Sequence, residues 1–522
     1  MTGYSECSGR WVMTPRIGSL HRVLRFYESM STASPLPGGR CGKMIRKGRV
    51  LPSRKSPQVS ATTNEVAIRE LDKSAPGLVR ELTASQATAL VVGTVIGSAI
   101  FLVPAEMMQE ARSPWIVYSA WVAGAMLSIC GAVTYAELSA MRPHPAGDYV
   151  YVRDAYGPLV GFLVAWTDFA LSSPGAIATV ATGFVRVLGG FSSMPWPDDS
   201  VPFLRITTGQ LLACIAIFFF AALNYVGVRK AAQFQVVFTG LKILMILLIV
   251  VAGFFFAHGG LANLVTIFTP GRGGIAGFYL ALVAALWAFD GWADLADLAG
   301  EVRDPGKNLP RSLIGGVAIV AALYMLLNAA VQFAFSARQI ATSQHVGAEV
   351  MQVAFGHVGM TLASVGMAIS ILGTMNGTVM SAARMPYAVA RDGYFFKFLG
   401  RAHPRYHTPG AVLMLQAVMG VLLVLFGGSF QKLFELTIFA IFLVSSLSAT
   451  TLFVFRIREP NAARPYKVWG YPFTTGFFIL ASASLLYVSF VENIHDSLLG
   501  CALIVAGVPV YLVFRRLKAR DL

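Results

Sequence analysis

Residues 93–104 read GTVIGSAIFLVP and interrupt the first long apolar run of the chain. Gly93 and Gly97 stand next to Ser98 and Ala99, a combination at which a helix ladder can break. Within a bilayer, broken backbone is tolerated only where it lines a cavity or is buried in protein. A second interrupted run, WAFDGW at 287–292, has an aspartate and a glycine at its middle. Paired interruptions in two halves of a chain indicate the binding site of a transporter.

The composition of the chain is that of a membrane protein. Of its 522 residues, 56% are hydrophobic and 13% are charged, and that charged fraction is about half of what a soluble domain carries. Apolar stretches of roughly 20 residues recur from Thr83 to Phe514, which predicts a polytopic α-helical protein. The net charge of +15 resides in the N-terminal part and in short loops. It therefore indicates a membrane-topology signal, and no nucleic-acid partner is expected.

We predict a basic, disordered cytoplasmic tail over residues 1–80, a transmembrane domain over 81–516 and a short cytoplasmic C-terminus over 517–522. The domain is predicted to contain about twelve spans, with approximate limits at 84–110, 115–138, 155–184, 207–226, 233–257, 277–300, 311–335, 356–383, 410–427, 433–456, 472–492 and 497–515. Strict alternation leaves few basic residues outside: Arg112, Arg186, Arg205, Arg272, Arg338 and Lys432. The inner loops hold far more, which favours both termini in the cytoplasm.

A broken helix offers two poles to a ligand. The unpaired N–H groups at the start of one half attract a carboxylate, and the unpaired carbonyls at the end of the other attract an ammonium. One break can therefore bind both ends of an α-amino acid. We predict that the N–H groups of Ser98, Ala99 and Ile100 face the carboxylate. Carbonyls of the first and sixth spans are predicted to face the amine: Val95, Ile96, Trp287, Ala288 and Phe289. Close packing through Gly93 and Gly97 is the structural alternative.

Four segments now establish a resemblance. GTVIGSAIF resembles the GxxIGSGIF signature of the amino acid–polyamine–organocation superfamily. Residues 135–157, 286–312 and 376–395 resemble the family's second-to-third-span segment, its sixth span and its eighth span. The likeness runs from about 83 to 515 and is closest to the L-type amino acid transporter branch. It implies the LeuT fold, with spans 1–5 and 6–10 as inverted repeats plus two C-terminal helices, and alternating access for amino acids. Ala99 departs from the signature, which has glycine there.

The resemblance extends the predicted substrate-binding set, which comprises Val95, Ile96, Gly97, Ser98, Ala99, Ile100, Trp287, Ala288, Phe289, Asp290 and Gly291. It also implies that Trp287 closes over bound substrate as a gate, although a packing role is the alternative. A transporter of this kind would be no enzyme, and it would need neither a cofactor nor a metal.

Lys242 stands alone in the apolar run FTGLKILMILLIV. A lysine inside a span is costly, and is by default a functional candidate. Snorkelling to the inner edge is the alternative. By resemblance, Lys242 matches a fifth-span lysine of sodium-independent members, whose ammonium replaces a sodium ion and touches the first-span break and span eight. We predict Lys242 as the coupling residue, acting either by proton exchange or as a fixed charge.

Asp290, Asp294, Asp297 and Glu301 follow one another at offsets that would put all four carboxylates on one helix face. This face is predicted to be a polar route to the cytoplasm that attracts cations or carries protons. Glu301 is instead expected to pair with a nearby Arg or Lys, and Asp290 is favoured as functional. Asp168 and Asn376 are expected to be helix–helix hydrogen-bond partners. Tyr149 and Tyr151 are expected to serve the fold and inner gating.

Other classes fit less well. A channel filter would need a ring of carbonyls or charges, and an enzyme would need a cluster that the histidines and cysteines do not form. Within transport, exchange and proton symport remain alternatives, as do amino acids and polyamines, and a non-transporting sensor is a further class. Residues 185–206 contain no cysteine, so no disulfide-linked glycoprotein partner is expected. A stand-alone transporter in a bacterial plasma membrane is favoured.

Overall fold

A computed structural model describes residues 78–189, 206–269, 271–343, 345–426, 430–492 and 494–520. Within these ranges, nine helices are long and apolar enough to cross a membrane, and three shorter apolar helices bring the number to the twelve that were predicted. The described residues contain no β-strand. The chain is thus an all-α polytopic membrane protein. The predicted tail, residues 1–80, lies outside the described residues except for its last three positions.

The helices of the first half are α1 (Ala84–Val95), α2 (Ala99–Ala111), α3 (Pro114–Met141), α4 (Gly147–Tyr156), α5 (Pro158–Thr167), α6 (Ser173–Gly189), α7 (Thr208–Tyr225) and α8 (Val228–Phe255). Those that follow are α9 (Gly274–Ala288), α10 (Asp294–Asp297), α11 (Pro305–Ala334), α12 (Ala337–Thr342), α13 (Val346–Ala382), α14 (Arg384–Arg391), α15 (Gly410–Phe426), α16 (Phe430–Arg458), α17 (Phe473–Glu492) and α18 (Ile494–Arg520).

The first span is broken where the glycine pair predicts it. Thr83 caps α1 through a reciprocal bond with Gln86, which satisfies orphan donors at the helix start. The helix ends at Val95, where the amide of Ile96 makes the last helical bond to Val92, and α2 begins at Ala99. Among the nine long spans of the described residues this one is the most buried: 89% of its most apolar stretch lies inside the protein, against 39% for α7. The break is therefore enclosed by protein, as a bilayer requires.

The sixth span departs from its predicted limits of 277–300. α9 ends at Ala288, α10 is a single turn, and a 3-10 turn follows at Ala299–Glu301. Gly291 lies in the break with φ +104°, a conformation that L-residues rarely adopt. The prediction that four acidic residues share one face of a continuous helix is wrong, because the backbone turns after Ala288.

The broken first span lies at the centre of the bundle. α1 packs against α8, α11 and α13, and α2 packs against α9. At the far end of the sixth span, the amide of Leu82 donates to the carbonyl of Glu301 at 2.9 Å, and the amide of Arg303 donates to the carbonyl of Leu82 at 2.9 Å. These contacts tie the start of the first span to the end of the sixth, so the two breaks lie beside each other.

Candidate functional site

A cavity of about 120 Å³ lies between the two helix breaks. Its wall is formed by the first, third, sixth, eighth and tenth spans, through Thr94, Val95, Gly97, Ser98, Ala99, Ala176, Thr179, Val180, Trp287, Asp290, Gly291, Asp294, Thr374, Thr378, Thr437 and Ile441. Six of these residues carry a hydroxyl, and two carry a carboxylate. The cavity is smaller than the roughly 300 Å³ at which pockets for drug-sized ligands begin. Its size and lining fit a small polar molecule.

The predicted binding set divides into two groups. Seven members line the cavity: Val95, Gly97, Ser98, Ala99, Trp287, Asp290 and Gly291. The other four, Ile96, Ile100, Ala288 and Phe289, are buried and do not line it. The ring of Phe289 packs edge-on against Trp121 and tilted against Tyr324. Phe289 therefore packs against the sixth-span break on a side that does not face the cavity.

The Tyr324 hydroxyl contacts two carbonyls that the sequence analysis assigned to the substrate amine. Its hydroxyl lies 3.0 Å from the carbonyl of Val95 and 3.0 Å from the carbonyl of Ala288. Both carbonyls were predicted to face an amine, and in this structure the Tyr324 hydroxyl donates to them instead, one at a time. Tyr324 comes from α11, far along the chain, and nothing in its local sequence distinguishes it from a packing aromatic. It bridges the two breaks directly.

Lys242 lies where the resemblance implied. Its side chain is 1% exposed, and its Nζ donates to the carbonyl of Gly93 at 2.5 Å, the carbonyl of Ile96 at 2.7 Å and the Thr374 hydroxyl at 3.0 Å. Snorkelling is excluded by this burial. No carboxylate pairs with Lys242 among the described residues. The ammonium of Lys242 is therefore held mainly by carbonyl oxygens at the end of α1.

The Ile96 carbonyl is fully engaged in this structure. Besides Lys242, Ser370 lies 3.0 Å and Thr374 lies 3.1 Å from its oxygen. A carbonyl oxygen has two lone pairs, so a substrate amine would compete with these donors for the Ile96 carbonyl. In this structure the charged partner of Ile96 is Lys242, and its predicted role in binding the amine stays a prediction. The first-turn amides of α2 lack intrahelical acceptors, and of the three predicted anion donors Ser98 and Ala99 line the cavity.

The acidic residues of the sixth span lie in different environments. Asp290 and Asp294 line the cavity, whereas Glu301 is buried in a two-bond ion pair with Arg384, whose Nε and Nη2 lie 2.8 Å and 3.1 Å from its oxygens. The expected pairing of Glu301 is confirmed. One oxygen of Asp297 is buried without a hydrogen-bond partner among the described residues. Of the four acidic residues, only Asp290 and Asp294 therefore line the cavity, and the predicted polar route to the cytoplasm stays a prediction.

Two further intramembrane polar residues differ in their roles. Asn376 receives a bond from Asn224 at 3.1 Å and donates to Gln235 at 2.7 Å, so its expected helix–helix role is confirmed. Asp168 instead accepts from Ser173 of its own span at 2.9 Å, where a π-helical turn interrupts the third span. Its expected role between helices is not what the structure shows. The extra residue of the π turn lets the Ser173 hydroxyl reach back.

Hydrogen bonds and ion pairs connect the loops at the end of the molecule that carries most of the basic residues. The Tyr149 hydroxyl donates to the Asp392 carboxylate at 2.6 Å, and Arg153 pairs with the same carboxylate. Arg456 and Arg464 both pair with the buried Glu137. These contacts join α4 to the segment after α14, and α3 to the end of α16 and the loop that follows it. They agree with the expectation that Tyr149 serves the fold.

A hydroxyl-lined cavity between two broken helices in a polytopic bundle is the arrangement expected of a membrane transporter. The chain belongs to the amino acid permease family, whose model matches residues 82–514. The serine/threonine exchanger SteT of Bacillus subtilis is 30% identical over 85% of this chain and 98% of its own length. The b(0,+)-type amino acid transporter 1 of Mus musculus is 28% identical over 86% of this chain and 91% of its own. The Asc-type amino acid transporter 1 of Mus musculus is 28% identical over 85% and 83%.

Proposed function

We propose that this protein exchanges amino acids across the plasma membrane by alternating access. The observation that carries the proposal is the cavity between the two breaks, where the amide end of α2 and two carboxylates line one small chamber. The amides suit the substrate carboxylate and Asp290 suits its ammonium. We place the amine at Asp290 because the carbonyls of Val95, Ile96 and Ala288, predicted for it from the sequence, already have Tyr324 or Lys242 as hydrogen-bond neighbours. Several relatives are named as exchangers or amino acid transporters.

The substrate class that we propose is small, polar amino acids. Ser98 and Thr179 bring hydroxyls to a chamber of about 120 Å³, and the buried Thr179 hydroxyl has no hydrogen-bond partner among the described residues. A site built to hydrogen-bond a substrate hydroxyl discriminates against analogues that lack it. Trp287 lies at the wall and is proposed as the gate. Large apolar side chains would have to displace it.

Asp290→Asn tests the role assigned to this carboxylate. Removing the charge weakens an ionic contact with the substrate ammonium, and hydrogen bonds to charged groups contribute about 1.5–3 kcal/mol. We expect the half-saturating concentration of a neutral amino acid to rise roughly tenfold or more, as such a free energy implies. We also expect lysine to compete less well with neutral substrates. Inhibition of labelled serine exchange by a panel of amino acids measures both, and an unchanged profile would contradict the role.

Ala99→Gly tests whether the methyl group of Ala99 limits the chamber. Ala99 lines the cavity and is 6% exposed, and the resembling signature has glycine at this position. Removing the methyl should admit bulkier side chains, so the ratio of leucine to serine exchange is expected to rise several-fold. Ala105→Gly, the same change at an equally buried position of α2 that does not line the cavity, should not raise that ratio. An equal change in both variants would show that Ala99 acts through packing.

Proton symport is the second candidate function. Lys242 is buried on carbonyl and hydroxyl oxygens without a carboxylate partner among the described residues, and Asp290 and Asp294 line the cavity at the same break. A lysine or carboxyl group that exchanged a proton there would link the proton gradient to the movement of substrate. Substrate and proton would then share the first-span break. Lys242 is the proposed coupling residue in either case.

A binding panel separates amino acids from the other proposed classes of ligand. Purified protein in detergent would be heated with serine, threonine, alanine, arginine or a polyamine, because a ligand that binds only the folded state raises the melting temperature. We expect the small neutral amino acids to give the largest shifts. A shift with a polyamine alone would favour an organic-cation transporter. A shift with amino acids in a protein that shows no uptake would favour a sensor.

The membrane orientation is part of the proposal. The loops at the Arg384 end carry most of the basic residues, which supports a cytoplasmic position for this end and for both termini. We propose a bacterial inner membrane as the location, and a protein that works without a disulfide-linked glycoprotein. The functional unit is proposed to be residues 81–516. Cysteine labelling of Asn461→Cys or Arg272→Cys, both at exposed positions, tests the two faces in intact cells, and labelling of the former from outside would reverse the orientation.

A further inference from the structure

A second cavity, of about 570 Å³, lies at the end of the molecule that carries most of the basic residues. It is bounded by the end of α14, the loop that follows it and the last turns of α18. Its lining consists of Arg391, Asp392, Gly393, Phe395, Phe396, Lys397, Phe514, Leu517, Lys518 and Arg520. The predicted last span stopped at 515, whereas α18 continues to Arg520. That continuation forms one wall of the cavity.

The charge of this cavity is strongly positive. Four of its lining residues are Lys or Arg, and the one acidic residue is Asp392. Arg153 and Tyr149 already contact the Asp392 carboxylate from outside the cavity. Lys518 donates to the Asp392 backbone carbonyl at 2.6 Å and lies 4.1 Å over the ring of Tyr394. The Asp392 carboxylate is therefore already engaged by Arg153 and Tyr149, and cations outnumber carboxylates among the lining residues that the structure describes.

The same cavity has an apolar side that is open. Phe396 is 53% exposed and Leu517 is 47% exposed, and the ring of Phe396 meets that of Phe514 at a centroid distance of 5.1 Å. Aromatic rings beside cations are typical of the level of lipid headgroups. A basic pocket between membrane helices on the inner side suits an anionic headgroup. A soluble anion would use the cations and leave the exposed apolar residues without a partner.

We propose that this cavity binds the phosphate headgroup of an anionic phospholipid, with its acyl chains against Phe396 and Leu517. Arg391 and Arg520 approach the phosphate from the two walls, while Lys518 holds the walls together through Asp392. Because Asp392 also contacts Arg153 and Tyr149, the bound lipid would stabilise the link between α18, the loop after α14 and α4. The site is separate from the amino acid cavity and does not rest on the proposed substrate.

The test uses the full-length protein in a neutral detergent with phosphatidylglycerol or phosphatidylcholine added in increasing amounts. We expect phosphatidylglycerol to raise the melting temperature and phosphatidylcholine to have little effect. In the double variant Arg391→Gln/Arg520→Gln, the half-maximal lipid concentration should rise roughly tenfold or more, since each basic residue near a membrane surface contributes about fivefold. The matched control is Arg303→Gln/Lys307→Gln, which removes two exposed cations from the same end of the molecule but outside the cavity.

Three other outcomes would contradict the proposal. Equal shifts with the two lipids in the unaltered protein, a measurement that needs no variant, would exclude recognition of the anionic headgroup. Equal losses in the double variant and the control would assign the effect to overall surface charge. A full shift with glycerol phosphate, which has no acyl chains, would identify a soluble anion as the ligand.

Discussion

Lys242→Ala is expected to abolish transport while the protein still inserts into the membrane. The ammonium is the donor that joins the carbonyl end of α1 to α13, through Gly93, Ile96 and Thr374. Without it, the buried Gly93 carbonyl keeps only the weaker contact with Thr374 at 3.2 Å. A buried acceptor that loses its main partner costs about 1–3 kcal/mol, so the arrangement of the break that binds substrate should lose population by roughly fivefold to a hundredfold. The charge that we propose for coupling is lost as well. Counterflow of labelled serine into reconstituted vesicles measures the loss.

The matched control for this variant is Lys230→Ala. Lys230 lies on the same helix, α8, but is exposed at its first turn. Its removal should leave counterflow within about twofold of the unaltered protein, because surface substitutions change stability by little. Normal uptake and normal exchange in Lys242→Ala would remove Lys242 from the coupling mechanism.

The largest effect on stability is expected from breaking the Glu301–Arg384 ion pair. Both side chains are 1% exposed and share two hydrogen bonds. Removing one partner of a buried pair costs about 3–5 kcal/mol, because the other charge is left buried and unpaired. Arg384→Met should therefore lower the melting temperature and the yield of folded protein markedly. Glu301→Gln/Arg384→Met removes both charges and should recover much of the loss.

An exposed ion pair in the same protein supplies the comparison. Arg272 and Glu110 lie 3.4 Å apart with side chains 61% and 39% exposed. Arg272→Met should cost no more than about 1 kcal/mol, the upper range for surface pairs. If Arg384→Met were as mild as Arg272→Met in a thermal unfolding assay, the Glu301–Arg384 pair would not hold the inner end of the sixth span in place.

The broken helices were predictable because their signals are local. Glycine next to small residues at 93–99, and an aspartate followed by glycine at 290–291, are visible in short windows. The count of twelve spans followed from apolar length, whereas the limits of the sixth span did not, because its helix ends at Ala288. The contact of Lys242 with the first break was implied by resemblance to a family, and the structure confirms that contact.

The partners of the breaks were not predictable in the same way. Tyr324 reaches two carbonyls from a helix that follows both breaks, and such long-range pairing leaves no periodic trace in the sequence. The prediction that the four acidic residues of the sixth span share one helix face was wrong for a different reason. Its offsets assume an uninterrupted helix from Asp290 to Glu301, whereas the aspartate at the break and Gly291 themselves end the helix. The same residues cannot both interrupt a helix and lie on one face of a continuous helix.

Amino acid exchange through the cavity at the two breaks is tested most directly in liposomes. Purified protein would be reconstituted into vesicles that are empty or loaded with serine, with and without an inward proton gradient, and uptake of labelled serine would be followed. The proposal predicts uptake only into loaded vesicles, with no dependence on the gradient and no uptake by the Lys242→Ala variant. Gradient-driven uptake into empty vesicles would contradict exchange and establish proton symport.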